Sequence, residues 1–324
     1  MRSTRVPALA AVLAVGALAG GGGAAYALFV GSADNPQTVS AVSDFLGPSV
    51  TRSTIAKTAG YTPGYVKQGG TYYVYAQVSD GGNPSSGIDL VTADVSSLTT
   101  LGGTTPLVSG SYSVGGSTYN YRSASTLAKT PLAGGAYTWS LTTRDLALNT
   151  GGDSGLSVTV DNTAPAASDV QTANVSGGTI GKPELGDSIT FTYSESIDPE
   201  SILSGWTGAS TTVVVRIDNN TPTNDRVSVY NAANTSQLPL GTVNLGRTDY
   251  VSANRTFGAS GTVSTMVMSG STITVTLGTA SGGTATGAGN GSMIWTPSSS
   301  VYDRAGNTAS ATASTESGTA DKDF

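Results

Sequence analysis

Leu156-Ser157-Val158-Thr159-Val160 alternates apolar and polar residues and then stops in Asp161-Asn162-Thr163-Ala164-Pro165. Alternation with a period of two marks a half-buried strand. Asp and Asn favour turns, while Pro165 offers no N–H to a ladder and holds Ala164 extended. A strand ending this way near the middle of 324 residues reads as the close of one module and the connector to another.

The same pattern continues on both sides. Towards the N-terminus, "TYYVYAQVS" (71–79) places Tyr72, Val74, Ala76 and Val78 on one face and runs into the loop "DGGNPSSG". "IDLVTADV" (88–95), "AYTWSLTTRD" (136–145) and "SGLSVTVD" (154–161) are further strands. Gly115-Gly116 can supply the positive φ angles of a two-residue hairpin turn, which sets Val114 opposite Ser117 and Tyr112 opposite Tyr119. Towards the C-terminus come "SITFTYS" (188–194), with Ile189, Phe191 and Tyr193 on one face, then "TTVVVRI", "STMVM", "TITVTL", "SMIWT" and "NTASATAS". A polar, Asn-rich insertion at about 218–261 adds either strands or a long loop. The expectation is an all-β protein of two tandem β-sandwiches, over 48–163 and 164–324.

Composition agrees. Charged residues make up 11% and hydrophobic ones 38%, with 43 Gly and abundant Ser and Thr, which suits turn-rich β structure. The net charge of −6 and the lack of a basic run argue against a nucleic-acid partner. There is no cysteine, hence no disulfide, thiolate metal site, thiol nucleophile or lipoprotein attachment point. Nor is there a histidine, the commonest general base and metal ligand.

Arg2 and Arg5 precede Val6–Val30, which carries no charge. That is the layout of a secretion signal, and Ala25 and Ala27 are small residues suited to cleavage before Leu28. The rival reading is an uncleaved anchor helix, since 25 apolar or neutral residues can cross a ~30 Å hydrocarbon core. Either way the remainder is exported. Residues 31–47 read as a spacer, and the last residues, "STESGTADKDF", as a polar ending.

The module endings can be superposed: Asp145-Leu146-Ala147-Leu148-Asn149 and Asp303-Arg304-Ala305-Gly306-Asn307. Together with Val-Asp-Asn-Thr-Ala-Pro, they resemble bacterial immunoglobulin-like (Ig-like) domains, whose last hairpin reads Asp-x-Ala-Gly-Asn. Leu148 stands where that pattern has glycine, and Gly151 and Gly152 are the candidates to compensate. "FTYSESIDPESI" (191–202) is similar to Ig-like domains of surface-layer proteins, in which Asp198 would cap a helical turn begun by Pro199. The resemblance implies fold more than function, because such modules serve as spacers, adhesins and enzyme appendages.

Candidate chemistry is thin. Glu195 with Asp198 could pair as acid and base, but their turn has a structural reading and no third group accompanies them. Asp80, Asn83, Asp218, Asn219, Asn220, Asn224 and Asp225 would suit calcium, yet Asx-turns explain them without a metal, and no cofactor is expected. Asp145, Asn149, Asp303, Gly306 and Asn307 are read as structural turn residues. Tyr73, Tyr75, Tyr112, Tyr119 and Tyr121 could form an outward face for sugar rings, or only follow β propensity. No nucleophile elbow or phosphate loop occurs. The expected protein is an exported, non-catalytic bacterial surface or secreted protein with a structural or adhesive role. The alternative is a carbohydrate-binding envelope protein using those tyrosines. Expected partners are other surface proteins or envelope glycans, with membrane contact only through the N-terminal segment if it is retained.

Overall fold

The computed structural model describes residues 44–324 apart from 59, 61 and 101; the N-terminal segment, with Ala25, Ala27 and Leu28, lies outside them. Among the described residues there is no α-helix, and no helix is long and apolar enough to cross a membrane. The chain is all-β and forms two sheets.

The first sheet uses β1 (Ser49–Lys57), β2 (Tyr65–Val66), β3 (Thr71–Ser79), β4 (Ile88–Asp94), β5 (Thr104–Val114), β6 (Ser117–Ser123), β7 (Thr126–Leu127), β8 (Gly135–Asp145) and β9 (Thr150–Val160). Its order is β1-β3-β6-β5-β4-β8-β9-β2, with β7 beside β3. β5 is the crossing strand. Its first residues pair with β4 (Pro106 opposite Thr92) and its later ones with β6 (Val108 opposite Arg122), so one ribbon folds over into two layers. The alternating apolar faces meet between the layers: Ile55, Tyr72, Val74, Ala76 and Val78 face Val91, Ala93, Trp139, Leu141, Val158 and Val160. This is a β-sandwich core. Gly115 and Gly116 take φ of +57° and +72°, and Tyr112 lies opposite Tyr119 as the turn requires.

The second sheet comprises β10 (Ala167–Ala173), β11 (Ser188–Tyr193), β12 (Thr211–Asp218), β13 (Arg226–Asn231), β14 (Thr242–Asn244), β15 (Arg255–Phe257), β16 (Ser264–Ser269), β17 (Thr272–Thr276), β18 (Ile294–Thr296) and β19 (Ser314–Thr315). Its order is β10-β11-β17-β16-β12-β13-β14-β18-β19, with β15 against β12. The sheet curls until its ends meet, since β10 packs beside β18 and β19. Trp295 is fully buried, with Phe191 and Tyr193 edge-on at 5.2 and 4.8 Å, and its indole N–H donates to the Leu240 carbonyl at 2.7 Å. The polar insertion is strand-forming: β13, β14 and β15 come from it, and Val227, Val229, Val243 and Phe257 join the core.

One expectation is corrected here. "NTASATAS" is not a regular strand; apart from a bridge between Tyr302 and Thr308, only Ser314 and Thr315 pair. Its alanines and small hydroxyl side chains bring little apolar area to hold a ladder. The ending "STESGTADKDF", read only as polar, packs against the fold, with Glu316, Asp323 and Phe324 buried. The two large cores stay distinct, one drawn from residues 55–160 and the other from 170–324.

Candidate functional site

The densest polar chemistry gathers around the Asp161–Pro165 connector. Asp303 opens the turn after Tyr302, and its carboxylate accepts the backbone N–H groups of Gly306 (2.6 Å) and Asn307 (2.7 Å). Gly306 sits at φ +93°, a conformation open to glycine because it lacks a Cβ. The Asn307 side-chain amide donates both to Asp303 Oδ2 (2.7 Å) and to the Asp161 carbonyl (2.9 Å), tying the turn to the connector. The Pro165 carbonyl accepts from Ser310 N–H at 2.8 Å.

The first sheet's strands reach the same place. Lys57, at the end of β1, pairs with Asp198 and donates to the Arg304 carbonyl at 2.8 Å; Lys67 donates to the Gly306 carbonyl at 2.5 Å. The Arg304 guanidinium lies 4.2 Å above the Tyr65 ring. Asp198 caps the 3₁₀ turn Pro199–Ser201, accepting Glu200 N–H at 3.1 Å, as its Asp-Pro sequence implied. Asp198 is thus engaged by the turn and by Lys57. Glu195 instead faces Asp161 and Asp303, with one carboxylate oxygen from each of the three within 4.8 Å of the others. Burial, followed by the charges of Asp161 and Asp303, pushes the Glu195 carboxyl up to about 7.

The same arrangement recurs at the start of the first sheet. Asp145 accepts Asn149 N–H (2.8 Å) and the Asn149 side-chain amide (2.8 Å), which also donates to the Asp44 carbonyl (3.1 Å). Asp44, Asp80 and Asp145 again bring carboxylate oxygens within 4.8 Å. Asp44 was expected in the spacer, yet it is buried, and hydrogen bonds from Ser86 hold its carboxyl below the usual range. The correspondence is positional: Asp44 and Asp161 each precede a proline by four residues. Asp80 and Glu195 each occupy the next inward position after the last core residue of a strand, Val78 and Tyr193. Leu148 corrects the expected compensation by Gly151 and Gly152: it adopts φ +69° itself and keeps the turn.

The remaining sequence candidates divide. Asn219 makes the anticipated Asx-turn, accepting Thr221 N–H at 3.0 Å, and Asp225 is buried and accepts the N–H groups of Tyr250 and Val251. Tyr73, Tyr75, Tyr112 and Tyr119 do gather on the outer side of the first sheet, but Tyr75 and Tyr119 are buried there. Arg122 covers the rings of Tyr73 and Tyr112 at 4.3 and 4.4 Å. Tyr121 lies opposite Ala76 and packs on the main core, not on that outer face.

A third carboxylate cluster, Glu316, Asp321 and Asp323, went unread in the sequence. Acidic residues in a polar ending give no sign of burial. The three clusters could each hold a cation through oxygen ligands. No protein-family model matches this chain, and no curated protein matches it.

Proposed function

We propose that this chain is an exported bacterial surface or secreted protein with a structural or adhesive role, built of two Ig-like modules and without catalytic activity. What supports the reading is the joint. Lys57, Lys67, Asp161 and Asn307 bind two separate β cores to each other through buried or half-buried polar contacts. A spacer or adhesin needs such a joint so that modules hold a fixed relative orientation under load. The resemblance of "VDNTAP" and the Asp-x-Ala-Gly-Asn turn points to the same class, and the charged-then-apolar N-terminus to export. A glycan platform is disfavoured, since the Arg122 guanidinium lies over the rings of Tyr73 and Tyr112 that sugars would need. Partners would then be other surface proteins.

Expression of the full chain in a bacterial host tests this. Accessibility to protease on intact cells, together with a mature N-terminus at Leu28 or retention in the membrane fraction, is the expected result. Protein confined to the cytoplasm would overturn export. Capture of purified envelope glycans that is lost in Tyr73→Ala would favour the carbohydrate reading.

A further inference from the structure

The third cluster lies against the second core, beside Met293 and Tyr250. Glu316 follows β19, and its N–H donates to the Met293 carbonyl at 3.0 Å. Gly291 N–H donates to the Asp321 carbonyl at 2.8 Å. Asp323 N–H donates to Tyr250 Oη at 3.0 Å, and that hydroxyl donates to Asp323 Oδ2 at 3.1 Å. One carboxylate oxygen from each of Glu316, Asp321 and Asp323 lies within 4.8 Å of the other two.

Two of these groups are enclosed. Glu316 is 9% exposed and Asp323 0%, and Glu316 Oε1 and Asp323 Oδ1 are buried without a hydrogen-bond partner. Among the described residues no lysine or arginine forms an ion pair with any of the three. A buried carboxylate oxygen left without a donor costs free energy, and a second and third negative charge nearby raise that cost. A bound cation or a bound proton relieves it. Burial, then the Glu316 charge, pushes the Asp323 carboxyl up to about 8, so the proton is a real competitor.

We propose that Glu316, Asp321 and Asp323 form a divalent-cation site, of the calcium type, that fastens the C-terminal segment to the second core. The donor set is all oxygen, which suits calcium; zinc favours nitrogen and sulfur. The unpartnered oxygens of Glu316 and Asp323 supply ligands whose hydration has already been removed, and Asp321 supplies the more exposed third. This inference does not rest on the structural or adhesive reading.

The full chain is titrated with Ca²⁺ by calorimetry, and with Tb³⁺ by luminescence excited through tyrosine, since Tyr250 touches Asp323. Wild type should bind, melt higher in Ca²⁺ and lower in chelator. Asp321→Asn, a change at an exposed residue, should weaken binding at least about tenfold while the chain stays folded. Glu316→Gln should behave likewise, and Glu195→Gln should leave the response intact. The site is overturned if wild type shows no response to millimolar Ca²⁺. It is equally overturned if binding survives unchanged in Asp321→Asn and Glu316→Gln, or disappears in Glu195→Gln alone. A stabilisation obtained only by lowering the pH would assign the pocket to a proton.

Discussion

At the scale of single residues, the two closing turns compare Gly306 with Leu148 in the same backbone role. Gly306 carries φ +93° without strain, whereas Leu148 carries φ +69° with its side chain 70% exposed. Little packing rewards that leucine, and a left-handed conformation costs a non-glycine residue about 1–2 kcal/mol. Leu148→Gly should therefore stabilise the chain by about 0.5–1 kcal/mol, after the extra backbone entropy of glycine is deducted. Urea denaturation checks it. Asp303→Ala should act the other way, because its carboxylate holds two N–H groups and an amide while 1% exposed. A loss of about 2–4 kcal/mol is expected from hydrogen bonds to a buried charged acceptor. Wild-type stability in that variant would remove Asp303 from its structural role.

Between elements, the controlling contact is Lys57 of β1 with Asp198 at the head of the 3₁₀ turn. Both groups are nearly buried, with side chains 10% and 0% exposed, so the pair is shielded from screening. Such a pair adds little net stability over apolar residues, but removing one member takes an ionic contact from a buried charge. Lys57→Met should cost about 2–4 kcal/mol, somewhat less than a fully uncompensated charge, since Asp198 keeps the Glu200 N–H. The loss should fall on the joint. Hydrogen exchange should rise at Asp161–Ala166 and Pro199–Ser201 while the central strands β3 and β12 stay protected. Uniform loss across both sheets would mean that the contact serves the cores instead.

For the whole molecule, the joint makes stability depend on pH through Glu195. Its carboxyl moves from an ordinary value of 4.5 up to about 7 in the fold. The folded chain then binds the proton more tightly than the unfolded one, so this group's contribution is full below about pH 4.5. It declines as pH rises through 7, where Glu195 ionises beside Asp161 and Asp303. In chelated buffer, wild type should lose melting temperature between about pH 5 and 8 relative to Glu195→Gln, whose neutral amide does not titrate. Parallel profiles for the two proteins would sever the link between Glu195 and the joint.

What the sequence determined by itself is local. The alternation of Tyr72 to Val78 and of Ile189 to Tyr193, the Gly115-Gly116 turn with its Tyr112–Tyr119 register, and the Asp198-Pro199 cap are written in adjacent residues. Period and turn chemistry act over a few positions, so they can be read there. Tertiary structure decided everything that joins distant positions. It set Glu195 against Asp161 and Asp303, brought Asp44 to Asp80 and Asp145, and turned an acidic ending into a buried cluster beside Tyr250. It also closed the tyrosine face, because Arg122 stands across from Tyr75 in the ladder and lies over the rings of Tyr73 and Tyr112. A carboxylate looks solvated in any short window of sequence. Whether it is buried, and which charges share its pocket, depends on how strands far apart in the chain are brought together.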